Sequence, residues 1–202
     1  MLARLTPERT AFFLCDVQER FRPLIFRFPD VVATAAKMVR ASAILASPLV
    51  VTEQHPKALG ATVAELDVGH AAMVIPKTLF SMATPPVTDY LATNRISNVV
   101  LFGIESHVCV TQTALDLIEH PDLNLNVYVL ADGVSSMNKP EIPLALKRLS
   151  AAGATITSSD SVLFSLLKDA KHDKFKQISA LVKDTSKATS ENLLFEYVAA
   201  KL

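Results

Sequence analysis

The chain has 202 residues, half of them hydrophobic, enough to bury a sizeable core and a length that fits one domain better than two. Twenty basic residues cancel twenty acidic ones, so charge gives no pull toward nucleic acid or an anionic membrane. No apolar run is long enough to cross a bilayer, and residues 1–10 lack a secretory apolar core, with Glu8 among them.

In chain order, residues 11–16 read as a buried strand ending at Asp16. Residues 31–45 are Ala-rich and helical, with Asp30 as the expected N-cap. Strands follow at 48–52 and 72–75, the latter running into Pro76 and Lys77, then a short helix at 86–93. Residues 98–103 form a β-branched, apolar strand ended by Gly103, and a helix over 107–119 stops before Pro121. A fifth strand spans 126–131. The helix over 140–152 opens with Pro140 and closes at Gly153, and a sixth strand spans 154–157. Helices at 161–169, 174–183 and 190–202 complete the chain, with a flexible joint expected at 185–191. The last helix carries Leu193, Leu194, Tyr197 and Val198 on one apolar face with no evident place in so small a domain. That face, with a positive mean hydropathy, predicts a homo-oligomer, at least a dimer. Alternating strands and helices with continuous apolar strands imply an α/β fold: a parallel sheet with helices on both faces.

Chemistry concentrates at three strand ends. Cys109 follows the fourth strand, where the chain turns into a helix. A helix N-terminus offers unpaired N–H groups and partial positive charge, the surroundings of reactive cysteines. Asp16 and Lys77 end the first and third strands, and sites in open parallel sheets form at carboxyl ends near a reversal of strand order. An acid, a fixed cation and a thiol make a nucleophilic set. Cys15, alternating away from Asp16 along the strand, is expected to be buried and inert. Cys15 and Cys109 form neither a C-x-x-C pair nor a metal-spaced cluster, which suits a reducing compartment and a cytoplasmic location.

The segments Asp16-Val17-Gln18, Val51-Thr52-Glu53-Gln54, Lys77-Thr78-Leu79-Phe80-Ser81, Gly103 to Val110 and Ala131-Asp132-Gly133 follow five successive strands. In that order they resemble the isochorismatase-like cysteine hydrolases, most closely the branch of isochorismatase domain-containing proteins, over residues 9–167. The resemblance implies one such domain over 1–202, a three-layer Rossmann-like fold with strand order 3-2-1-4-5-6, and Asp16, Lys77 and Cys109 as a catalytic triad. It also implies a cis peptide at Ile104–Glu105, with the backbone N–H groups of Glu105 and Cys109 forming an oxyanion hole. The implied reaction is hydrolysis of a small amide, imide or related acyl compound through a thioacyl intermediate, without a cofactor. Members that cleave the vinyl ether of isochorismate lack the cysteine, which disfavours that activity here.

Around the triad, Gln18, Phe21, Gln54, Phe80, Ser81 and His107 are candidate pocket residues. For Phe21 and Phe80, core packing is an equal alternative, and His107 reads as well as an exposed helix-start residue. Nicotinamidases of the same superfamily hold a metal through an Asp and histidines after the second strand. Here that segment is Thr52-Glu53-Gln54-His55-Pro56, with Gln54 near the place of the metal Asp, so no metal is expected and His55 reads as a surface residue. A non-catalytic oligomeric binding protein and, more weakly, a ribonuclease are the alternatives. A redox enzyme is a further option, disfavoured because it lacks a nearby resolving cysteine, Cys15 belonging to another strand.

Overall fold

The computed structural model describes residues 5–201. Six parallel strands form one sheet: β1 (Thr10–Cys15), β2 (Leu49–Gln54), β3 (Met73–Lys77), β4 (Asn98–Ile104), β5 (Asn126–Ser135) and β6 (Thr155–Thr157). Their order is β3-β2-β1-β4-β5-β6. The central strands β1 and β4 are buried along their whole length, the signature of a sheet covered on both faces. β3 lies at the edge and alternates half-buried with exposed, and it tolerates Pro76 because an edge strand need not donate there.

Helices follow as α1 (Phe28–Leu45), α2 (Pro56–Leu59), α3 (Pro85–Thr93), α4 (Thr111–Ile118), α5 (Glu141–Ala151), α6 (Ser159–Leu167), α7 (Phe175–Asp184), α8 (Ser186–Ser190) and α9 (Leu193–Ala199). α1 packs on β5, β1 and β4, and α6 to α9 gather around it, while α4 and α5 pack together elsewhere against β5. Strand order reverses between β1 and β4, whose neighbours β2 and β5 lie on opposite sides, the place where ligand sites form at the carboxyl ends of open parallel sheets.

Several boundaries differ from the sequence reading for identifiable reasons. Asp30 is not the N-cap of α1. Pro29 starts the helix earlier, Arg27 takes the cap position, and Asp30 in the first turn pairs with its guanidinium at 2.8 Å. β2 extends to Gln54 and β3 to Lys77 because Gln54 and Lys77 pair in register. The 185–191 stretch is no loose joint but holds α8. The apolar face of the last helix is covered by the chain only in part, since Leu193 stays 48% exposed and Tyr197 half-buried. Leu194 and Val198 are fully buried, and α9 lies on β5 and α1. The Asn192 side chain caps α9, accepting from Phe195 N–H at 2.7 Å. Leu194 and Val198 are therefore not available to a subunit contact, whereas Leu193 is; residue 202 of the expected helix lies outside the described residues.

Asp132 ties this region together. Its Oδ1 accepts from Ser159 N–H at 2.9 Å and its Oδ2 from the Ser159 hydroxyl. Its carbonyl accepts from Thr34 Oγ1 and Asn192 Nδ2 at 2.8 and 3.0 Å. Burial pushes the Asp132 carboxyl above its ordinary value of 3.8, against the lowering effect of the Ser159 bonds. A carboxyl that holds its proton more tightly folded than unfolded favours the fold below that ordinary value, and the contribution fades as pH rises through the folded value. Asp132→Ala strands the Ser159 donors and is expected to cost about 2–4 kcal/mol. Urea unfolding should show the deficit growing as pH falls; a deficit under about 1 kcal/mol would contradict this reading of the network.

Candidate active site

β1 delivers Asp16 as the first residue beyond its end. Asp16 has φ of 51°, the left-handed region that Asp tolerates better than most residues. This turn breaks the strand alternation, so Cys15 and Asp16 do not point apart: Cys15 Sγ lies 3.6 Å from Asp16 Oδ2. The expectation of a remote, inert Cys15 is corrected in position, though its burial is complete.

Lys77, the last residue of β3, reaches from the sheet edge to Asp16. Its Nζ is 2.6 Å from Asp16 Oδ2, and both side chains are buried, at 1% and 0% exposure. Nζ also donates to Gln54 Oε1 at 2.7 Å and to the carbonyls of Phe80 and Leu79 at 2.8 and 3.1 Å. An ammonium has three N–H donors, so these four oxygens saturate it. Lys77 thus holds Asp16 in place and offers no donor to a ligand. The other carboxylate oxygen, Asp16 Oδ1, accepts from Thr52 Oγ1 at 2.8 Å. The extra acceptors around Lys77 and the Thr52 donor offset the desolvation of a buried ion pair.

Cys109 sits in a widened turn, Ser106–Val110, between β4 and α4, and is 7% exposed. The Glu105 carbonyl accepts from the N–H groups of Val108 and Val110, both at 3.1 Å, and closes the turn. Thr113 Oγ1 donates to the Cys109 carbonyl at 2.6 Å and accepts from Met82 N–H at 2.9 Å, linking this turn to the segment after Lys77. The Cys109 side chain lies near enough to the Cys15 thiol to help raise it, and Cys15 Sγ in turn meets Asp16 Oδ2 at 3.6 Å. The Ile104–Glu105 peptide is cis, and the Glu105 carboxylate accepts from Met137 N–H at 2.9 Å.

The candidate pocket residues divide. Gln18 is fully buried, and its amide clamps backbone: Oε1 accepts from Gln54 N–H at 2.7 Å, and Nε2 donates to the carbonyls of Gln54 and Gly60. Gln54 has its own amide spent on Lys77 and the Thr78 carbonyl. Ser81 is buried, with Oγ accepting from Ala83 N–H at 3.1 Å. These three are scaffold rather than pocket wall, because their polar atoms are already paired. Phe21 is partly buried against the core, Phe80 is 48% exposed, and half-buried His107 pairs through Nδ1 with Ser136 Oγ at 2.9 Å. Thr52 and Cys15 were missed by the sequence reading. The register Cys15↔Thr52, invisible without the strand order, puts both beside Asp16. Around the expected position of a nicotinamidase-type metal, Glu53 is engaged by Thr62 N–H and Oγ1, and Gln54 by Lys77. The segment therefore does not fit such a metal.

A second polar pair lies at the opposite end of the sheet, where His70 Nε2 is 2.8 Å from Ser42 Oγ. The Ser42 hydroxyl donates to the Val39 carbonyl, so its proton is already committed to the backbone.

Sheet order and site together define a three-layer α/β protein whose buried acid–ammonium pair and adjoining thiols occupy the topological switch point. The chain belongs to the isochorismatase family: the Isochorismatase domain model matches residues 10–161. It is 45% identical over 183 residues to isochorismatase domain-containing protein 1 of Danio rerio, covering 90% of this chain and 64% of that relative. The chain thus spans about two thirds of that relative's length. It is 42% identical to isochorismatase domain-containing protein 2 of Xenopus laevis, covering 90% of this chain and 87% of the relative. A solved structure of MAR1 ribonuclease from Caenorhabditis elegans superposes with a TM-score of 0.84 at 42% identity, covering 90% of this chain and 93% of that one.

Proposed function

We propose that the protein is a cysteine hydrolase of small amides, imides or related acyl compounds, with Asp16, Lys77 and Cys109 as its catalytic triad. The observation that carries this reading is the fully buried Lys77–Asp16 pair at 2.6 Å at the carboxyl end of the sheet, where β4 leads into the turn that holds Cys109. At 7% exposure, Cys109 meets only a small acyl group. Its sulfur adds to the acyl carbon and its proton passes to Asp16. The backbone N–H groups of Glu105 and Cys109 receive the oxyanion, each such donor being worth about 3 kcal/mol in the transition state. The amine leaves with the proton from Asp16. Water, deprotonated by Asp16, then adds to the thioester, and the acid departs as the thiol is restored. Lys77, its donors saturated, keeps Asp16 oriented and balances its charge throughout. No step calls for a cofactor.

The test is release of ammonia or amine from a library of small amides and imides, with and without a chelator. Chelator-resistant turnover of at least one member supports the reading. Turnover lost to the chelator and restored by a divalent ion would overturn it in favour of nicotinamidase-like chemistry at the Glu53-Gln54-His55 segment. The ribonuclease relative raises RNA as a second substrate. The balanced charge supplies no evident phosphate-binding surface. RNA cleavage that persists through purification and disappears in Cys109→Ala would favour that reading instead.

A further inference from the structure

One buried nucleophilic group has no part in this mechanism, and it touches two that do. Cys15 ends β1 and pairs in register with Gly103 of β4. Gly103 has φ of 122°, and a Cβ on it would come within 2.1 Å of the Cys15 carbonyl. Only glycine allows β4 to run this close, and the turn that follows β4 holds Cys109. The two cysteines carry no disulfide, lie 94 positions apart in sequence, and are near enough that Cys109 helps raise the Cys15 thiol. They differ in access: Cys15 is fully enclosed, whereas Cys109 is 7% exposed.

We propose that Cys15 is a resolving thiol, and that a hydroperoxide converts the Cys15–Cys109 pair into a disulfide that switches the site off reversibly. The inference rests on Cys109 being the open nucleophile of the proposed function. The Cys109 sulfur attacks the peroxide oxygen, breaking the O–O bond, and gives a sulfenic acid with release of water or an alcohol. Cys15 then attacks the Cys109 sulfur. The S–O bond breaks, an S–S bond forms, the Cys15 proton passes to Asp16 Oδ2, and hydroxide leaves and is protonated as water. The peroxide is reduced and two thiols are oxidised. Asp16 is placed for that proton, 3.6 Å from Cys15 Sγ. The enclosure of Cys109 keeps bulky outside thiols from its sulfenic acid, leaving Cys15 as the thiol in reach. Burial, reinforced by the neighbouring Cys109 side chain and the Asp16 charge, raises the Cys15 thiol well above its ordinary value. In the resting state it stays a neutral thiol and does not compete for substrate.

The test treats the full chain with hydrogen peroxide, blocks remaining thiols with iodoacetamide and digests it without reduction. The expected result is a peptide pair bridging Cys15 and Cys109 and an intact mass lower by two hydrogens. Cys109 then takes up no label, and dithiothreitol restores labelling. In Cys15→Ala and Cys15→Ser, Cys109 should instead gain two or three oxygens that dithiothreitol does not remove. If wild-type Cys109 alkylates readily yet gains oxygen under peroxide with no bridged peptide, the resolving role is overturned while the hydrolase reading stands. A Cys109 that neither alkylates nor oxidises in the native protein overturns both. The wild-type peptide map decides the question even if the Cys15 variants fail to fold.

Discussion

Cys109→Ala is expected to lower amide turnover by roughly 10⁴-fold or more, the scale of removing the nucleophile from a covalent catalyst. The fold should hardly notice, since the change deletes a single sulfur atom and leaves the Cys109 carbonyl bonded to Thr113. Cys109→Ser should be severely impaired too, because a hydroxyl is far less acidic than a thiol and a carboxylate is a weak base for it. Asp16→Asn keeps the shape of the site but removes the proton acceptor, for an expected loss of about 10²–10⁴-fold. Turnover of any library substrate, read beside a thermal melt, checks all three. An alanine variant within tenfold of wild type would remove Cys109 from the mechanism.

Lys77→Ala carries the largest structural effect. It leaves Asp16 fully buried without its counter-charge, and it unpairs Gln54 Oε1 and the carbonyls of Leu79 and Phe80. Breaking a buried pair by deleting one partner costs about 3–5 kcal/mol. Neutralising both partners, as Lys77→Met with Asp16→Asn, should recover part of that stability while leaving the protein inactive. Urea unfolding of the single and double variants separates the two roles. A single variant as stable as wild type would show that the pair does not hold the site together, and a double variant that turned over substrate would remove the pair from the chemistry.

The sequence exposed the strands well because their side chains are apolar on both faces. β1 and β4 are buried throughout, and such runs stand out against the helices between them. Asp16, Lys77 and Cys109 were legible as strand-end residues, although their strand order came from the family resemblance rather than from periodicity. What remained hidden depended on register and on single dihedral angles. Cys15 was set apart by applying alternation one residue too far, past the point where the left-handed Asp16 breaks it. Thr52 lies in a recognisable segment, yet its contact with Asp16 exists only because β1 and β2 pair Cys15 with Thr52. Gln18 and Gln54 were noticed as polar residues near the triad, but their amides serve backbone and Lys77, which no spacing rule reveals. Leu194 and Val198 of α9 looked unpartnered because their cover, β5 and α1, is remote in sequence.

The most direct test of a covalent thiol mechanism is to trap the acyl group. The protein is mixed with an amide and imide library, quenched in acid within the first turnovers, and its peptides are weighed. The mechanism predicts a thioester on the peptide containing Cys109, absent in Cys109→Ala and decaying as product appears. Turnover that proceeds with no adduct on Cys109, or with the adduct on another residue, would contradict it.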